Sequence, residues 1–257
     1  MNSPLRAHGA SLPVTSALPL REAPARQPSM MRKFEVMSFG RDGDVRQASH
    51  IVPAHPLFED AASAFVRGTI LQTDSGPMAV EDLLPGDRVI DIEGHAARVL
   101  WIGATMIVPN ASGQRDEMRH TWRITADKFG IGRPMPDLAL GQGARLLVDR
   151  PMIRAQAGAA GAMVGVADLA DEMGLIRLTP PSPVRTYHVM LERHCAIRAA
   201  GLEVESYHPG DHATETVGRN LLSLFLSIFP HVETPEDFGP QGLPRVSRTM
   251  LEGLDAA

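Results

Sequence analysis

Apolar and polar residues alternate with a period of two along much of this chain, in short segments separated by turn residues. Residues 33–39 alternate in this way, and an Asp-Gly turn at 42–43 lets residues 45–52 return alongside them, which predicts an N-terminal hairpin. Residues 88–92 and 96–108 repeat the pattern around a Glu-Gly-His turn. Short alternating segments bounded by Gly, Pro and Asp are typical of antiparallel sheets. The chain is therefore predicted to be mainly β.

The second half of the chain continues the pattern and adds two helices. The predicted strands there are 121–125, 145–148, 176–179, 184–191, 195–199 and 202–207. In 184–191, Tyr187, Val189 and Leu191 share one face, and His188 and Met190 share the other. Residues 166–173 predict about two turns of helix. Residues 214–229 predict a longer helix, capped by Thr214 or Thr216 and stopped by Pro230.

Two blocks of residues resemble a known family. The first, at 64–109, contains Gly68-Thr69, a Gly76-Pro77 turn, Val80-x-x-Leu83 and Pro85-Gly86-Asp87-x-Val89. The second, at 187–206, reads YHVMLERHCAIRAAGLEVES and follows about 100 residues later. In this order the blocks resemble the opening and closing blocks of the Hint superfamily, the self-processing fold of Hedgehog C-terminal domains and inteins. The Val-Leu-Trp-Ile-Gly run at 99–103 is similar to a bacterial branch of that superfamily.

The resemblance implies a domain organisation. A Hint-type compact antiparallel β-domain is expected at 64–210, with the two ends of that span close together. A hairpin and lead-in at 32–63 precede it, and a short helical extension at 211–257 follows it. Residues 1–31 are interrupted by prolines and show no apolar period, so we expect a disordered N-terminal tail.

The same resemblance implies a chemistry, and two of its groups are missing here. In Hint domains a Cys attacks the carbonyl before it, and a His protonates or polarises the departing amide nitrogen. Ala64 stands at the Cys position, and Ala144, in the segment 141–147, stands at the His position. A methyl group can neither attack a carbonyl nor move a proton. We therefore expect no catalytic residues, no cofactor and a domain that serves as a binding or structural module for an unknown protein partner.

Several residues keep other interpretations open. His194 matches the closing-block His, either as a leftover acid–base group or as a structural histidine. The alternative function is autoprocessing by a substitute nucleophile, for which Ser63, Thr69 and Cys195 are the candidates. Cys195 adjoins His194, but neighbouring strand residues point to opposite faces, which disfavours a Cys–His dyad. A weaker metal hypothesis joins His208, Asp211 and His212 around a Pro-Gly turn, where a polar turn is the better interpretation.

Composition narrows the remaining classes of partner, bound metal and cellular location. The formal charge of −5 in 257 residues gives no basic footprint, which disfavours nucleic acid as a partner. A single cysteine excludes an internal disulfide framework and any multi-Cys zinc site. The first 30 residues show no secretory apolar region, and no apolar run reaches the roughly 18 residues of a membrane span. The sequence predicts a cytoplasmic protein without a transmembrane segment, and it leaves secretion by a non-classical route open.

Overall fold

The structure, a computed structural model, describes residues 30–40, 43–151, 153–154, 161–210 and 214–255. Most of the predicted tail therefore lies outside the described residues. Its last residue, Met31, already begins the first strand.

The described part of the chain contains sixteen strands and three α-helices with defined bounds, and residues 151 and 153–154 are also helical. The strands of the first half are β1 (Met31–Phe39), β2 (Val45–Pro53), β3 (Phe65–Val66), β4 (Ile70–Thr73), β5 (Gly76–Ala79), β6 (Arg88–Ile90), β7 (Ala96–Ile107) and β8 (Thr121–Ile124). Those of the second half are β9 (Leu138–Leu140), β10 (Arg145–Val148), β11 (Ala162–Gly165), β12 (Leu175–Leu178), β13 (Val184–Leu191), β14 (Ala196–Ala199), β15 (Leu202–Glu205) and β16 (Arg245–Val246). The helices are α1 (Pro56–Asp60), α2 (Arg219–Leu226) and α3 (Arg248–Asp255). The prediction of a mainly β, antiparallel chain is confirmed.

The long strand β7 lies at the centre of the sheet. It pairs antiparallel with β13 along most of its length, with β1 on its other side and with β6 at its beginning. Residues 101–105 of β7 are buried on both faces, because neighbouring layers cover the sheet there from both sides. Gly103 has to be a glycine, since an added Cβ would lie 2.1 Å from the ring of Trp101 and 2.8 Å from the Ala61 carbonyl oxygen.

The two ends of the predicted domain meet, as the resemblance implied. β4 pairs with β14 through Leu71 and Ala199, and β14 continues into β15 as a hairpin. β15 in turn pairs with β10 through Val204 and Leu146. The N-terminal hairpin of β1 and β2 also forms as predicted, and β1 joins it to the sheet.

The C-terminal extension completes a second apolar core. Phe34 and Phe58 pack there with Phe225 and Phe229 of the extension, and all four rings are buried. Trp101 links this core to the sheet: its Nε1–H donates to the Ile228 carbonyl oxygen at 2.7 Å, and its ring lies 4.5 Å from that of Phe229. The extension is thus packed against its own chain, as its apolar sequence predicted.

Two helix predictions need correction. α2 is shorter than the predicted 214–229, and its N-cap is Gly218 rather than Thr214 or Thr216, because the extended backbone of Gly218 (φ −65°, ψ 152°) stops the helix there. It ends at Leu226, so that Ile228 and Phe229 can turn into the second core. The segment predicted as a helix at 166–173 forms only a 3₁₀ turn, Val166–Leu169. Among the described residues, no helix has the length and apolarity needed to cross a membrane.

Candidate functional site

The peptide bond between Ser63 and Ala64 lies at the entry to β3, and both residues are completely buried. The Ala64 N–H donates to the Tyr187 carbonyl oxygen at 3.0 Å, which fixes the bond against β13. On the other side, the N–H of Gly141 donates to the Ala64 carbonyl oxygen at 2.8 Å. The bond at which the family chemistry would act is therefore held between a central strand and the loop 141–144.

The loop 141–144 packs so closely against the backbone of residues 60–63 that two positions of the loop, 141 and 143, require glycine. The Gly143 N–H donates to the Ser63 carbonyl oxygen at 2.8 Å and to Ser63 Oγ at 3.2 Å. A Cβ at 143 would lie 2.7 Å from the Asp60 carbonyl oxygen. A Cβ at 141 would lie 2.2 Å from the Ser63 carbonyl oxygen, so a residue with a side chain does not fit this backbone.

The structure therefore brings the two predicted vestigial positions to one place. Ala144 is the last residue of the loop 141–144, which binds the Ser63–Ala64 peptide, and both alanines belong to the main apolar core. The backbone donor on the Ser63 carbonyl is the kind of group that stabilises an oxyanion, and it is retained. The side chains at positions 64 and 144 are two buried methyl groups.

His188, which the sequence analysis did not single out for chemistry, lies beside this site. Its Nδ1–H donates to the Asp60 carbonyl oxygen at 2.7 Å, while its Nε2 is buried and has no hydrogen-bond partner among the described residues. Burial lowers the pKa of His188 to about 4, only partly offset by the hydrogen bond to Asp60, so the ring is neutral near pH 7. The signal available in the sequence was a histidine between Tyr187 and Val189 in the predicted strand 184–191.

Asp60 lies in a small pocket next to the site. The pocket has a volume of about 240 Å³, and its lining includes Asp60, Arg145, Tyr207 and His208. Solvent reaches 40% of the Asp60 side chain, yet the surrounding walls desolvate its carboxyl group and raise its pKa, an effect that the charge of Arg145 opposes. The Tyr207 hydroxyl is buried without a partner among the described residues, and burial raises its pKa well above the usual value.

A buried carboxylate occupies the closing block. Glu205 is fully buried and accepts hydrogen bonds from Arg245 Nε at 2.9 Å and from Arg145 Nη1 at 3.3 Å. His194 Nε2 lies 3.1 Å from the same carboxylate, and His194 Nδ1 accepts the Gly242 N–H at 2.9 Å, so Nε2 carries the proton. Burial alone would raise the pKa of Glu205, but the hydrogen bond from His194 and the two guanidinium charges lower it to about 2. Both ring nitrogens of His194 are therefore engaged in hydrogen bonds.

The substitute nucleophiles lie in different places. Ser63 is at the junction itself, whereas the Thr69 hydroxyl donates to the Val66 carbonyl oxygen at 2.7 Å in a neighbouring turn. Cys195 is half-buried, and desolvation raises the pKa of its thiol to about 11, which leaves it protonated near neutral pH. Within the part of the chain that the structure describes, Cys195 and His194 make no hydrogen bond to each other.

Of the three predicted metal ligands, only His208 lies among the described residues, so the metal hypothesis stays a prediction. His208 uses both ring nitrogens, Nδ1 accepting the Gly210 N–H and Nε2 donating to the Gly239 carbonyl oxygen, each at 3.0 Å. Asp211 and His212 lie outside the described residues. A cluster that the sequence analysis missed, Asp91, Glu93 and His95, has ligand atoms within 4.8 Å of one another. Asp91, however, already binds Arg193 and two backbone N–H groups, so the cluster is a stabilised turn.

Comparison with known proteins identifies the family. A family model described as the Hint domain matches residues 63–211, more than half of the chain. The chain belongs to the Hint domain family. The match begins at Ser63 and includes the loop 141–144 and the closing block. No curated protein matches the chain.

Solved structures that resemble the Hint domain of this chain are distant. The solution structure of a bacterial intein-like domain from Clostridium thermocellum has 15% identity and a TM-score of 0.39, over 56% of this chain and 99% of that chain. The crystal structure of the MchDnaB-1 intein has 16% identity and a TM-score of 0.33, over 55% of this chain and 99% of that chain.

Proposed function

We propose that this Hint domain does not process itself and acts intact as a binding or structural module. The observation that carries the proposal is the state of the Ser63–Ala64 junction. Its backbone contacts are kept, while the positions of the nucleophile and of the acid are two methyl groups buried in the core. Without these groups the peptide bond has neither an attacking atom nor a proton source for its nitrogen.

The surroundings of the junction support this proposal. His194, the closing-block histidine, is held between Glu205 and the Gly242 N–H, and Gly242 belongs to the C-terminal extension. Arg245 of the same extension binds Glu205. The segment that follows the family match is thus tied by hydrogen bonds to two buried side chains of the closing block, which favours a permanent part of the fold over a leaving fragment.

Mass spectrometry of the freshly purified full-length protein tests the proposal. We expect one species of the full mass, 27.8 kDa, before and after incubation with dithiothreitol or hydroxylamine, because neither a thioester nor an ester forms. The matched control is Ser63→Ala, which removes the hydroxyl closest to the junction and should give the same result. Fragments that end at Ser63 and begin at Ala64 would refute the proposal.

A second candidate, self-processing by Ser63, rests on one observation. Ser63 Oγ would attack the Ala62 carbonyl carbon, form an ester as the C–N bond breaks, and pass its proton to the nitrogen of Ser63. The oxygen of that carbonyl accepts a hydrogen bond from Thr186 Oγ1 at 2.9 Å, a donor placed to stabilise the negative charge. Hydroxylamine would then release a fragment that ends at Ala62, and Ser63→Ala would abolish it. If the wild-type protein and the Ser63→Ala variant both keep their full-length mass in hydroxylamine, this candidate is rejected.

A further inference from the structure

A groove with an apolar floor and an excess of positive charge lies apart from the Ser63–Ala64 junction. Its volume is about 560 Å³, within the range of small-molecule sites. The floor includes Leu146 and Leu202, which are 4% and 3% exposed, together with the side chains of Leu169 and Ile92. The groove shares no lining residue with the 60–64 or 141–144 segments, so it is a separate feature of the described structure.

Arginines outnumber acids around this groove. Of the described residues, four arginines and two acids line it, in a chain whose net charge is −5. Arg133 is paired with Glu203 and Arg154 with Asp149, and Arg150 also has an interaction partner. Arg198 is exposed, and no carboxylate among the described residues lies within ion-pair distance of it. A guanidinium group without an anionic partner beside an apolar floor favours a ligand that brings both an anion and apolar surface.

The strands hold Arg198 at the edge of the groove. It is the one outward-facing residue of β14, between Ile197 and Ala199, both of which are fully buried. The neighbouring acid, Glu203, lies directly opposite Arg198 in the sheet, but its carboxylate is taken up by Arg133. The backbone of Arg198 is therefore fixed by the sheet, while its guanidinium group faces the groove and solvent.

We propose that this groove binds an amphiphilic organic anion, a small molecule with one carboxylate on an apolar body, with Arg198 as the partner of the carboxylate. The apolar body lies on Leu146, Leu202 and the adjoining aliphatic side chains. This inference does not depend on the fate of the Ser63–Ala64 bond. Failure of either proposal leaves the other untouched, because one is read from the protein's mass and the other from ligand binding.

Titration of the full-length protein with sodium decanoate, below its micellar concentration and at low salt, tests the proposal by calorimetry. We expect saturable 1:1 binding, and at least tenfold weaker binding of decanol, which has the same chain without the charge. Arg198→Gln should weaken decanoate binding about 10- to 100-fold, the usual effect of a lost charge-assisted hydrogen bond, and leave decanol unchanged. Arg198→Lys should restore part of the affinity. Arg248→Gln, at an exposed arginine of α3, is the matched control and should change nothing.

Three results would overturn the proposal. The first is no saturable decanoate binding. The second is equal binding of decanoate and decanol, which means apolar association only. The third is an Arg198→Gln variant with native circular dichroism and unchanged decanoate affinity. Arg198-dependent binding of an acidic peptide without decanoate binding would assign the groove to a protein partner and also reject the small-molecule proposal.

Discussion

Trp101 offers a direct test of whether the C-terminal extension is an integral part of the folded domain. Its indole N–H donates to the Ile228 carbonyl oxygen at 2.7 Å, and Ile228 is fully buried. Replacing Trp101 by Phe keeps an aromatic ring against Phe229 and Tyr207 but removes this donor. The carbonyl is then left in an apolar core without a partner among the described residues.

The magnitude follows from two contributions. A buried polar group that loses its partner costs about 1–3 kcal/mol. The smaller ring leaves a gap that adds about 1 kcal/mol. We therefore expect Trp101→Phe to lower the free energy of unfolding by about 2–4 kcal/mol, and the melting temperature by about 2–4 °C for each kcal/mol.

The second tryptophan provides the matched control. Trp122 Nε1 donates to Gln142 Oε1 at 3.0 Å, but Trp122 is 8% exposed and its partner can turn to solvent. Trp122→Phe should therefore cost about 1 kcal/mol. Urea denaturation followed by circular dichroism measures both, and each variant keeps one tryptophan as a fluorescent reporter. The conclusion that the extension is an integral part of the domain would be refuted if Trp101→Phe lowered the free energy of unfolding by less than about 0.5 kcal/mol, or by no more than Trp122→Phe does.

Three further predictions concern the candidate site. Ala64→Cys supplies a nucleophile but no general acid, and since acid assistance is worth about 10²–10⁴-fold in rate, dithiothreitol should release barely any fragment in intact-mass measurements. Adding Ala144→His should not restore cleavage and should lower the free energy of unfolding by about 1–3 kcal/mol through overpacking. Efficient cleavage by the double variant would contradict this. Because the folded pKa of His188, about 4, is below its ordinary value of 6.5, the unfolded chain binds the proton first, and stability to urea should fall as pH drops from 6.5 to 4. His188→Phe should flatten that slope, whereas an unchanged slope would assign it to other groups. At pH 8 iodoacetamide should alkylate Cys195 at least about tenfold more slowly in the folded protein than in urea, since its pKa is raised to about 11, and equal rates would show an exposed thiolate.

The sequence alone determined most of the strands and the order of the blocks, although β9 and β16 were not predicted. Alternation with a period of two marks a strand because its side chains point to opposite faces, and Gly, Pro and Asp mark the turns through their backbone preferences. β13 was predicted with its observed bounds, 184–191, for this reason. The opening and closing blocks were likewise sufficient to indicate the family, since its motifs are local runs of residues.

Helix ends were predicted less well, because they depend on tertiary packing. The apolar run at 217–229 has a helical composition, but Phe229 and Ile228 leave the helix to pack against Trp101 and its neighbours. A local pattern contains no information about such a distant partner. Burying these two side chains contributes about 1.5–3 kcal/mol each, which exceeds the small helix propensity of the residues that lie outside the helix.

Only the tertiary structure decided what surrounds the Ser63–Ala64 junction. Gly143 is 80 residues from Ser63 in the chain, yet its N–H donates to the carbonyl oxygen of Ser63, and the need for glycine there arises from the close approach of the Asp60 carbonyl oxygen. The neutral state of His188 and the ionised state of Glu205 are set by burial and by charges from distant strands. The sequence showed which side chains stand at the junction, and the fold determined what the groups around it can do, because hydrogen bonding and desolvation depend on neighbours in space.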